Sequence, residues 1–239
     1  MRGGRRFIAI VPARSGSKGI PDKNMRRVGG RTLIARAAQV LADPACAWVD
    51  RKLLSTDCER YAEEGREHGL ECPFLRPEAL SRDDTGAIET LQQVWRQAEA
   101  HYAERYDVLL VVEPTCPLRR PEDIVGTVEA LEKGDARSAV AVSLLDTKHH
   151  PDKLLELEGG RIRYYSAAGS TVKTRQSLGD LYYRNGACYA ITRECLLEGG
   201  VIFCDETVAF VVERPLANID EPLDLAFAEF LENRESKIG

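Results

Sequence analysis

The chain has 239 residues, enough for one large domain or two small ones and enough to bury a hydrophobic core. Hydrophobic residues make up 44% of it and charged residues 30%, which is typical of globular chains and too apolar for an intrinsically disordered one. The formal net charge is −5, so the surface as a whole is not expected to bind nucleic acid or an anionic membrane. An anionic ligand would therefore need a local cluster of positive charge.

The sequence also bears on the compartment. No apolar run approaches the roughly 20 residues that a membrane-spanning helix needs, so we expect no membrane partner. The basic N-terminus and the apolar residues after it are reminiscent of a signal peptide. Pro12 and Arg14 interrupt the apolar run, which we interpret as a buried strand. Seven cysteines, an odd number with no C-x-x-C pair, predict a reduced, cytoplasmic chain.

Up to Leu145, short apolar runs alternate with helical periodicities. Strands are predicted at Phe7–Val11, Trp48–Ser55, Glu71–Leu75, Val108–Val112 and Ala139–Leu145. Helices are predicted at Arg31–Leu41, Cys58–His68, Thr85–Tyr102 and Pro121–Glu132. A strand followed by a helix, repeated in this way, favours an α/β fold of three layers, with a mostly parallel sheet between helices. Such sheets bind ligands beyond the carboxyl ends of their strands.

After about Asp146 the pattern changes. A Gly159-Gly160 pair between Leu154–Glu158 and Arg161–Ser166 predicts a β-hairpin with a two-residue turn. Further strands are predicted at Ala187–Ile191 and Val208–Val212, and a last helix at Pro222–Arg234. We interpret the chain as an α/β body with an insert at 146–184 that carries this small hairpin.

The most informative segment is the loop after the first strand. Small residues at positions 15, 16, 17 and 19 let several backbone N–H groups point inward, as in nests that bind phosphate oxygens. Arg14, Lys18 and Lys23 add three positive charges, roughly what a nucleoside triphosphate needs together with a metal ion. The spacing matches neither a P-loop nor the G-x-G-x-x-G fingerprint, which disfavours an ATPase and an NAD-dependent oxidoreductase. The alternative is a solvated basic loop.

The string I-A-I-V-P-A-R-S-G-S-K-G-I-P-D-K-N, residues 8–24, resembles the signature of the CMP-N-acylneuraminate cytidylyltransferases, or CMP-sialic acid synthetases. Further stretches match this family in the same order: Ser55-Thr56-Asp57, Arg76-Pro77 with Asp83-Asp84-Thr85, Glu113 to Arg119, Asn185-Gly186-Ala187 and Ile219 to Asp224. The resemblance implies one cytidylyltransferase domain over residues 1–239, of the Rossmann-like nucleotide-diphospho-sugar transferase type. It also implies a homodimer in which the insert at 146–184 reaches the neighbour's site.

The same resemblance implies transfer of CMP from CTP to a nonulosonic acid such as N-acetylneuraminate, with release of pyrophosphate and with Mg²⁺ as cofactor. Catalysis of this kind is mostly positioning and charge neutralisation. By resemblance, Arg14, Lys18 and Lys23 are catalytic and hold the triphosphate, with Lys23 nearest the bond that breaks. The other residues implied to bind CTP are Pro12 and Ala13, through their main chain, and Ser15, Gly16, Ser17, Asn24, Arg76 and Thr85.

Two positions depart from the family pattern. The stretch that usually reads D-I-D is Asn218-Ile219-Asp220 here, so Asp220 is the best Mg²⁺ ligand and Asn218 could add an uncharged amide oxygen. Glu113 stands where the family usually has a glutamine in contact with the sugar, so it could bind a second Mg²⁺ or mark a different acceptor. The structural alternatives are that Asp220 caps the final helix and that Glu113 pairs with a nearby arginine.

The acceptor is implied to be a small anion. Besides Glu113, the resemblance places Arg175, Gln176 and Asn185 in its pocket, and the adjacent Tyr183 and Arg184 are further candidates, although the arginine sits differently relative to Asn-Gly-Ala in many relatives. Arg175 and Arg184 are candidates for binding a carboxylate, because a planar guanidinium can bind it in bidentate fashion. No convincing general base emerges.

Two rival functions stay open. A cytidylyltransferase for a phosphonate acceptor, such as phosphonoformate, would keep the chemistry and change the acceptor. A regulatory protein that binds CTP without catalysis would release no pyrophosphate with any acceptor.

Overall fold

The structure is a computed structural model that describes residues 1–81, 86–171, 174 and 178–235. Within these ranges, a six-stranded central sheet is accompanied by two two-stranded ribbons and five α-helices. The central strands are β1 (Phe7–Pro12), β4 (Arg51–Ser55), β5 (Val108–Val111), β6 (Ser138–Leu144), β9 (Tyr182–Thr192) and β10 (Thr207–Val211). The ribbons pair β2 (Arg27–Val28) with β3 (Arg31–Thr32), and β7 (Leu155–Glu158) with β8 (Arg161–Tyr164). The helices are α1 (Leu33–Ala42), α2 (Glu59–Glu67), α3 (Ala87–Tyr102), α4 (Pro121–Leu131) and α5 (Pro222–Glu235).

The central sheet has the strand order β10-β6-β9-β5-β1-β4. Strand β9 runs antiparallel to both of its neighbours, whereas the pairs β1–β4, β1–β5 and β6–β10 are parallel. Every residue of the apolar run Val108–Val111 is buried, as expected for a strand with helices on both faces of its sheet. The prediction of a mostly parallel α/β sheet is confirmed.

Helices cover both faces of this sheet. Successive residues of a strand point to opposite faces, and β1 follows this rule. Phe7, Ala9 and Val11 pack with residues of α1, α2 and α4 on one face. Ile8 and Ile10 pack with residues of α3 on the other face. The molecule therefore has the three layers that the alternating pattern predicts.

The strand order opens a crevice between β1 and β5. From β1 the chain passes to β4 on one side, and it later places β5 on the other side of β1. At such a switch point the connections leave in opposite directions, which opens a gap beyond the carboxyl ends of the strands. The ligand-binding edge predicted for the sheet therefore corresponds to this crevice between β1 and β5.

One predicted strand is wrong. Within Glu71–Leu75 only Glu71 pairs with a neighbouring strand, donating its N–H to the Lys52 carbonyl at 2.8 Å and accepting from the Leu54 N–H at 2.9 Å. Pro73 has no N–H with which to continue this pairing. The segment therefore leaves the sheet and leads towards the crevice.

Other elements form as predicted but with different ends. Helix α1 begins after Thr32, because the Thr32 hydroxyl accepts a hydrogen bond from the Ala35 N–H at 3.0 Å and caps the helix. Strand β9 is longer than the predicted Ala187–Ile191 and begins at Tyr182. The insert predicted at 146–184 therefore ends inside a strand of the central sheet.

The hairpin predicted in the insert is confirmed. Strands β7 and β8 are joined by Gly159 and Gly160, whose φ angles are 56° and 76°. Both residues thus adopt the left-handed conformation that favours glycine in a two-residue hairpin turn.

Two further findings concern the chain as a whole. None of the helices in the described ranges combines the length and the apolar character that crossing a bilayer demands. All seven cysteines are free thiols.

Candidate active site

A cavity of about 590 Å³ lies beyond the carboxyl ends of β1 and β5. Its walls come from the loop after β1, the first turns of α3, the segment after β5, and strand β9. The structure brings the following predicted site residues together around it: Pro12, Arg14, Ser17, Lys18, Lys23, Asn24, Arg76, Glu113, Arg184 and Asp220. The loop after β1 therefore meets Glu113, Arg184 and Asp220 in one place.

The loop after β1 is held in shape by its own polar contacts. Asp57 accepts hydrogen bonds from the Ser15 N–H at 2.8 Å and the Ser15 hydroxyl at 2.9 Å. Asn24 is buried, and its side-chain amide donates to the Arg14 carbonyl at 3.1 Å. These contacts fix both ends of the cationic segment relative to the sheet.

The predicted nest of inward-pointing N–H groups is smaller than expected. The Ser15 N–H is used by Asp57, and the Ser17 N–H donates to the Ser15 carbonyl at 2.9 Å. Ser15 and Gly16 do not line the cavity, whereas Ser17 and Lys18 do. Side-chain charge is therefore the larger contribution of this loop to anion binding.

Lys23 reaches across the cavity mouth. Its ammonium group donates to the Ile219 carbonyl at 3.0 Å and to Asp220 Oδ1 at 2.9 Å. Asp22, just before it, has a φ of 52° and accepts a hydrogen bond from the Tyr61 hydroxyl at 3.0 Å. The side chain of Lys23 is largely covered, while that of Asp220 is 75% exposed. One wall thus presents a positioned cation beside an accessible carboxylate.

A glycine allows these two segments to approach. A Cβ atom on Gly19 would lie 2.5 Å from the Asp220 carbonyl oxygen, closer than real contacts allow. Any side chain at this position would push the loop away from the 218–220 segment. The small residue predicted for phosphate binding therefore also serves close backbone packing.

Asp220 does not cap the final helix. The carboxylate that accepts backbone N–H groups at the start of α5 belongs to Asp224, which accepts from Asp220 at 2.9 Å and Glu221 at 2.8 Å. The Asp220 carboxylate instead pairs with Lys23. The capping alternative for Asp220 is wrong, and its side chain faces the cavity.

Arg76 is a buried cation held by one residue. Its guanidinium donates to the Ser55 hydroxyl at 3.0 and 3.1 Å and to the Ser55 carbonyl at 2.8 Å. Burial lowers the pKa of Arg76. The Ser55 carbonyl also accepts from the Ala13 N–H at 2.9 Å, and Pro12 has no N–H. Pro12 lines the cavity and Ala13 does not. If these two residues recognise the base as the resemblance implies, only their carbonyl oxygens can do so.

Glu113 lies at the end of β5, half-buried in the cavity wall. Burial raises the pKa of its carboxyl group, against the opposing effect of Arg119 and Arg184. Arg119 donates to the main-chain carbonyls of Glu113, Gly186 and Ala187 rather than to this carboxylate. Among the described residues the Glu113 carboxylate forms no ion pair, so the pairing alternative for Glu113 is wrong.

Candidate oxygen donors for a divalent cation lie in and beside this wall of the cavity: Glu113 and Asp220 line it, whereas Asn218 does not. Asn218 Oδ1 is buried and accepts no hydrogen bond within the described part of the chain. A Cβ on Gly186 would lie 2.6 Å from Glu113 Oε2 and 3.3 Å from Asn218 Nδ2, so the Glu113 carboxylate and the amide nitrogen of Asn218 approach the same glycine. Asp220 lines the same cavity. Two carboxylates and an unsatisfied amide oxygen are a donor set that fits Mg²⁺, which takes its remaining ligands from phosphates and water.

The predicted acceptor residues divide into two groups. Arg184 lines the cavity, whereas its strand neighbour Tyr183 does not. Asn185 is buried: its Nδ2 donates to the Ser143 hydroxyl at 3.0 Å, and its Oδ1 accepts from the Ala187 N–H at 3.0 Å. Both ends of the Asn185 amide are therefore used to hold β9 in place rather than to line the cavity. Thr85, Arg175 and Gln176 lie outside the described residues.

Several cavity residues were not predicted from the sequence as site residues. Thr90 on α3, Tyr189 on β9 and Ile202 before β10 all line the cavity. Tyr189 places a hydroxyl group in an otherwise apolar strand, a pattern that could have marked it as a site residue. Burial raises the pKa of this hydroxyl. Thr90 lies within a predicted helix, and Ile202 lies between two predicted strands. Nothing in the sequence marks either of them as a site residue.

Comparisons with known proteins identify the family of this chain. The profile of a family described as cytidylyltransferase matches residues 8–197. The CMP-N,N'-diacetyllegionaminic acid synthase of Legionella pneumophila is 27% identical over 231 residues, covering 95% of this chain and 96% of that relative. The pseudaminic acid cytidylyltransferase of Campylobacter jejuni is 27% identical over 226 residues, covering 94% of this chain and 95% of that relative.

Two other similarities extend the comparison. The N-acylneuraminate cytidylyltransferase of Streptococcus agalactiae is 30% identical over 205 residues, which cover 85% of this chain and 47% of that longer relative. Among solved structures, CMP:2-keto-3-deoxy-manno-octonic acid synthetase complexed with CTP superposes with a TM-score of 0.68. That match covers 96% of this chain and 99% of the other at 16% identity, which shows a shared fold.

Proposed function

The chain belongs to the cytidylyltransferase family, and we propose that it transfers CMP from CTP to a nonulosonic acid with release of pyrophosphate. The observation that carries this proposal is the meeting of Arg14, Lys18 and Lys23 with Arg184 and Glu113 around one cavity. Relatives aligned over almost the whole chain are named for CMP-legionaminic and pseudaminic acid chemistry. The same acceptor class is the simplest assignment for this cavity.

The triphosphate end of the cavity is cationic in a chain whose net charge is −5. Arg14, Lys18 and Lys23 offer the positive charge that a triphosphate needs at short range. Pro12 and buried Arg76 line the adjacent wall and offer a surface for the base. This polarity orients CTP with its phosphates towards the loop after β1.

In the proposed reaction an acceptor hydroxyl forms a bond to the α-phosphorus while the bond to pyrophosphate breaks. Charge builds up on the departing phosphate oxygens, and a preorganised cation is the group that stabilises it. The Lys23 ammonium group is held by the Ile219 carbonyl and the Asp220 carboxylate in the absence of ligand. Little conformational entropy of the Lys23 side chain is therefore lost at the moment of reaction.

Mg²⁺ is proposed as the cofactor, held by Asp220 together with Glu113 and the amide oxygen of Asn218. When bound, the cation would supply charge neutralisation at phosphate oxygens. With Asp220 as its ligand, the cation would replace Lys23 as the partner of this carboxylate. The Lys23 ammonium group would then keep its hydrogen bond to the Ile219 carbonyl and be available to the triphosphate.

The acceptor end of the cavity has two opposite charges. Arg184 offers a guanidinium that can bind a carboxylate in bidentate fashion, whereas the Glu113 carboxylate would repel one. A nonulosonic acid would therefore place its carboxylate towards Arg184 and a hydroxyl or amide N–H towards Glu113.

We also propose that the active form is a homodimer assembled through the hairpin of β7 and β8. The hairpin exposes apolar side chains, among them Leu157 and Ile162, which a second copy would cover.

A panel of acceptors with CTP and Mg²⁺ tests the function. We expect pyrophosphate release, and a CMP-sugar of the correct mass, with at least one of N-acetylneuraminate, N,N'-diacetyllegionaminate and pseudaminate, and no turnover with ATP or GTP. Turnover of phosphonoformate alone would support the phosphonate alternative. Binding of CTP without pyrophosphate release from any acceptor would support a regulatory protein and refute the proposal.

A further inference from the structure

Phe203 lies behind the acceptor wall of the cavity, in the segment between the helical turn Glu194–Glu198 and β10. Its neighbours Ile202 and Cys204 pack against the apolar core, but the Phe203 ring is 38% exposed. The ring contacts two residues of the cavity wall instead. The Arg184 guanidinium carbon lies 5.3 Å from the ring centroid, and the Tyr189 ring centroid lies 6.2 Å away.

The segment that carries Phe203 is held at both ends. Gly200 has a φ of 65°, and the Val201 N–H donates to the Cys195 carbonyl at 3.1 Å. On the other side, the Cys204 N–H donates to the Thr207 hydroxyl at 2.8 Å. The ring is therefore presented to Arg184 by a fixed backbone, not by a free loop.

Arg184 has little else to orient it. Its guanidinium forms no ion pair and donates no hydrogen bond to any residue that the structure describes, although it lines the cavity. A guanidinium on a long side chain samples many rotamers in that situation, and a ring face restricts them by cation–π attraction. The aromatic contact leaves all five N–H donors of Arg184 open to a ligand.

We propose that Phe203 is a positioning residue whose ring holds the Arg184 guanidinium over the cavity, ready to bind the carboxylate of the acceptor. The inference rests on the proposed function, because it assigns the acceptor carboxylate to Arg184. It makes Phe203 a determinant of acceptor affinity without direct contact with either substrate. Binding of CTP at the other end of the cavity is independent of the ring.

The first test is steady-state kinetics of Phe203→Leu, which removes the ring and keeps apolar bulk. We expect the KM for the acceptor to rise about two- to fivefold, the size expected for losing an exposed cation–π contact. The kcat and the KM for CTP should stay at the wild-type values. Phe203→Tyr keeps the ring, so its KM for the acceptor should match that of the wild type. Phe230→Leu, at an exposed ring on α5, is the matched control and should change nothing.

A double-mutant cycle separates positioning from a general structural effect. Arg184→Ala should raise the acceptor KM by itself, and adding Phe203→Leu to it should raise the KM no further. If Phe203→Leu raises the acceptor KM equally in the wild-type and Arg184→Ala backgrounds, or raises the KM for CTP, the ring acts on the fold and the proposal is wrong.

A second test needs no turnover. The Nε–H signal of Arg184, assigned by its loss from the spectrum of Arg184→Lys, should carry a ring-current shift that disappears in Phe203→Leu and persists in Phe230→Leu. An unchanged signal in Phe203→Leu would overturn the positioning role even if the kinetics fit. Failure of the proposed function looks different, because the wild type would then turn over no nonulosonic acid while the Arg184 signal still reports the ring.

Discussion

Among single residues, Lys23 connects the two halves of the site, since its partner Asp220 is 197 positions away in the sequence. We expect Lys23→Ala to lower kcat at least about a hundredfold, because removing one preorganised donor from a developing anion costs roughly 2.7–4 kcal/mol. The rate of pyrophosphate release at saturating CTP and acceptor measures this. The fold should survive, because the ion pair ends on an exposed carboxylate and contributes little to stability.

Lys133, at the end of α4 and exposed, provides the matched control. Lys133→Ala removes the same charge from the molecule and should leave kcat unchanged. A Lys23→Ala enzyme with near-normal rates would show that the cationic loop does not serve the chemistry.

The Asp220 carboxylate is expected to decide the metal requirement. Asp220→Asn should raise the Mg²⁺ concentration for half-maximal activity by at least about tenfold, because an amide oxygen replaces a charged ligand. Its exposed neighbour offers the control Glu221→Gln, for which the Mg²⁺ titration should match the wild type. An unchanged titration for Asp220→Asn would remove this residue from the metal site.

The buried carboxyl group of Glu113 should make the stability of the folded protein depend on pH. Burial raises its folded-state pKa above the ordinary value of 4.5, so the folded protein binds this proton more tightly than the unfolded chain does. The free energy of unfolding therefore falls as the pH rises from the unfolded-state pKa of Glu113 to its folded-state pKa, and this contribution stays lost at higher pH. Glu113→Gln should accordingly melt at a higher temperature than the wild type at about pH 7–8, with a difference that shrinks towards about pH 4.

Thermal unfolding in the presence of EDTA measures this difference, at roughly 2–4 °C per kcal/mol for a chain of this size. Exposed Glu63 is the control, and Glu63→Gln should leave Tm unchanged at every pH. A wild-type protein that gains stability over Glu113→Gln as the pH rises would reverse the predicted sign.

How well the sequence predicts single residues depends on where their partners come from. Charges in one loop, such as Arg14 and Lys18, are predictable because their spacing is local. Asn185 looked like a ligand contact, yet its amide is used by Ser143 and Ala187, and Ser143 is 42 positions away. Arg119 ends a stretch that matches the family, but the sequence assigns it no role, whereas in the structure it joins the end of β5 to β9 through three carbonyls. Such contacts exist only once the sheet has formed.

Among the elements, the loop after β1 offers a test with an internal control. A Cβ at Gly19 would meet the Asp220 backbone at 2.5 Å, whereas a Cβ at Gly16 would meet nothing within 4 Å. We expect Gly19→Ala to lower stability by about 1–3 kcal/mol, the usual cost of overpacking, and to weaken CTP binding because the loop is displaced. Gly16→Ala should change neither quantity by more than about 0.5 kcal/mol. Urea unfolding and calorimetric CTP titration measure the two effects; equal behaviour of the two variants would contradict the close approach.

Element prediction succeeded where burial and periodicity agree. The runs that became β1 and β5 are apolar throughout, so helices on both faces follow directly. It failed at Glu71–Leu75, where an apolar pattern around Pro73 cannot sustain hydrogen bonding. The antiparallel direction of β9 was not readable either, because direction depends on the connection and not on the pattern of the strand itself.

For the whole molecule, the hairpin of β7 and β8 raises the question of assembly. Leu155 lies opposite Tyr164, and Leu157 lies opposite Ile162. All four apolar side chains are therefore on one face of the ribbon. These side chains are between 50% and 74% exposed, while the other face carries the pairs Glu156–Arg163 and Glu158–Arg161. A two-stranded ribbon is only marginally stable in water, so an uncovered apolar face of this kind favours a second copy against it.

We therefore expect sedimentation equilibrium at micromolar concentration to give twice the chain mass of 26.6 kDa. The double substitution of Leu157→Glu and Ile162→Glu places two like charges directly opposite each other on the apolar face, so it should yield a monomer. Leu223→Glu on α5 is the matched control, because Leu223 is 77% exposed and lies outside the hairpin. If the wild type sediments as a monomer, or if the control dissociates as readily as the double variant, the hairpin is not the dimer interface. If the double variant also keeps Lys23 and Asp220 in place but loses turnover, the neighbouring copy completes the acceptor site, because the cavity of the single chain would be intact.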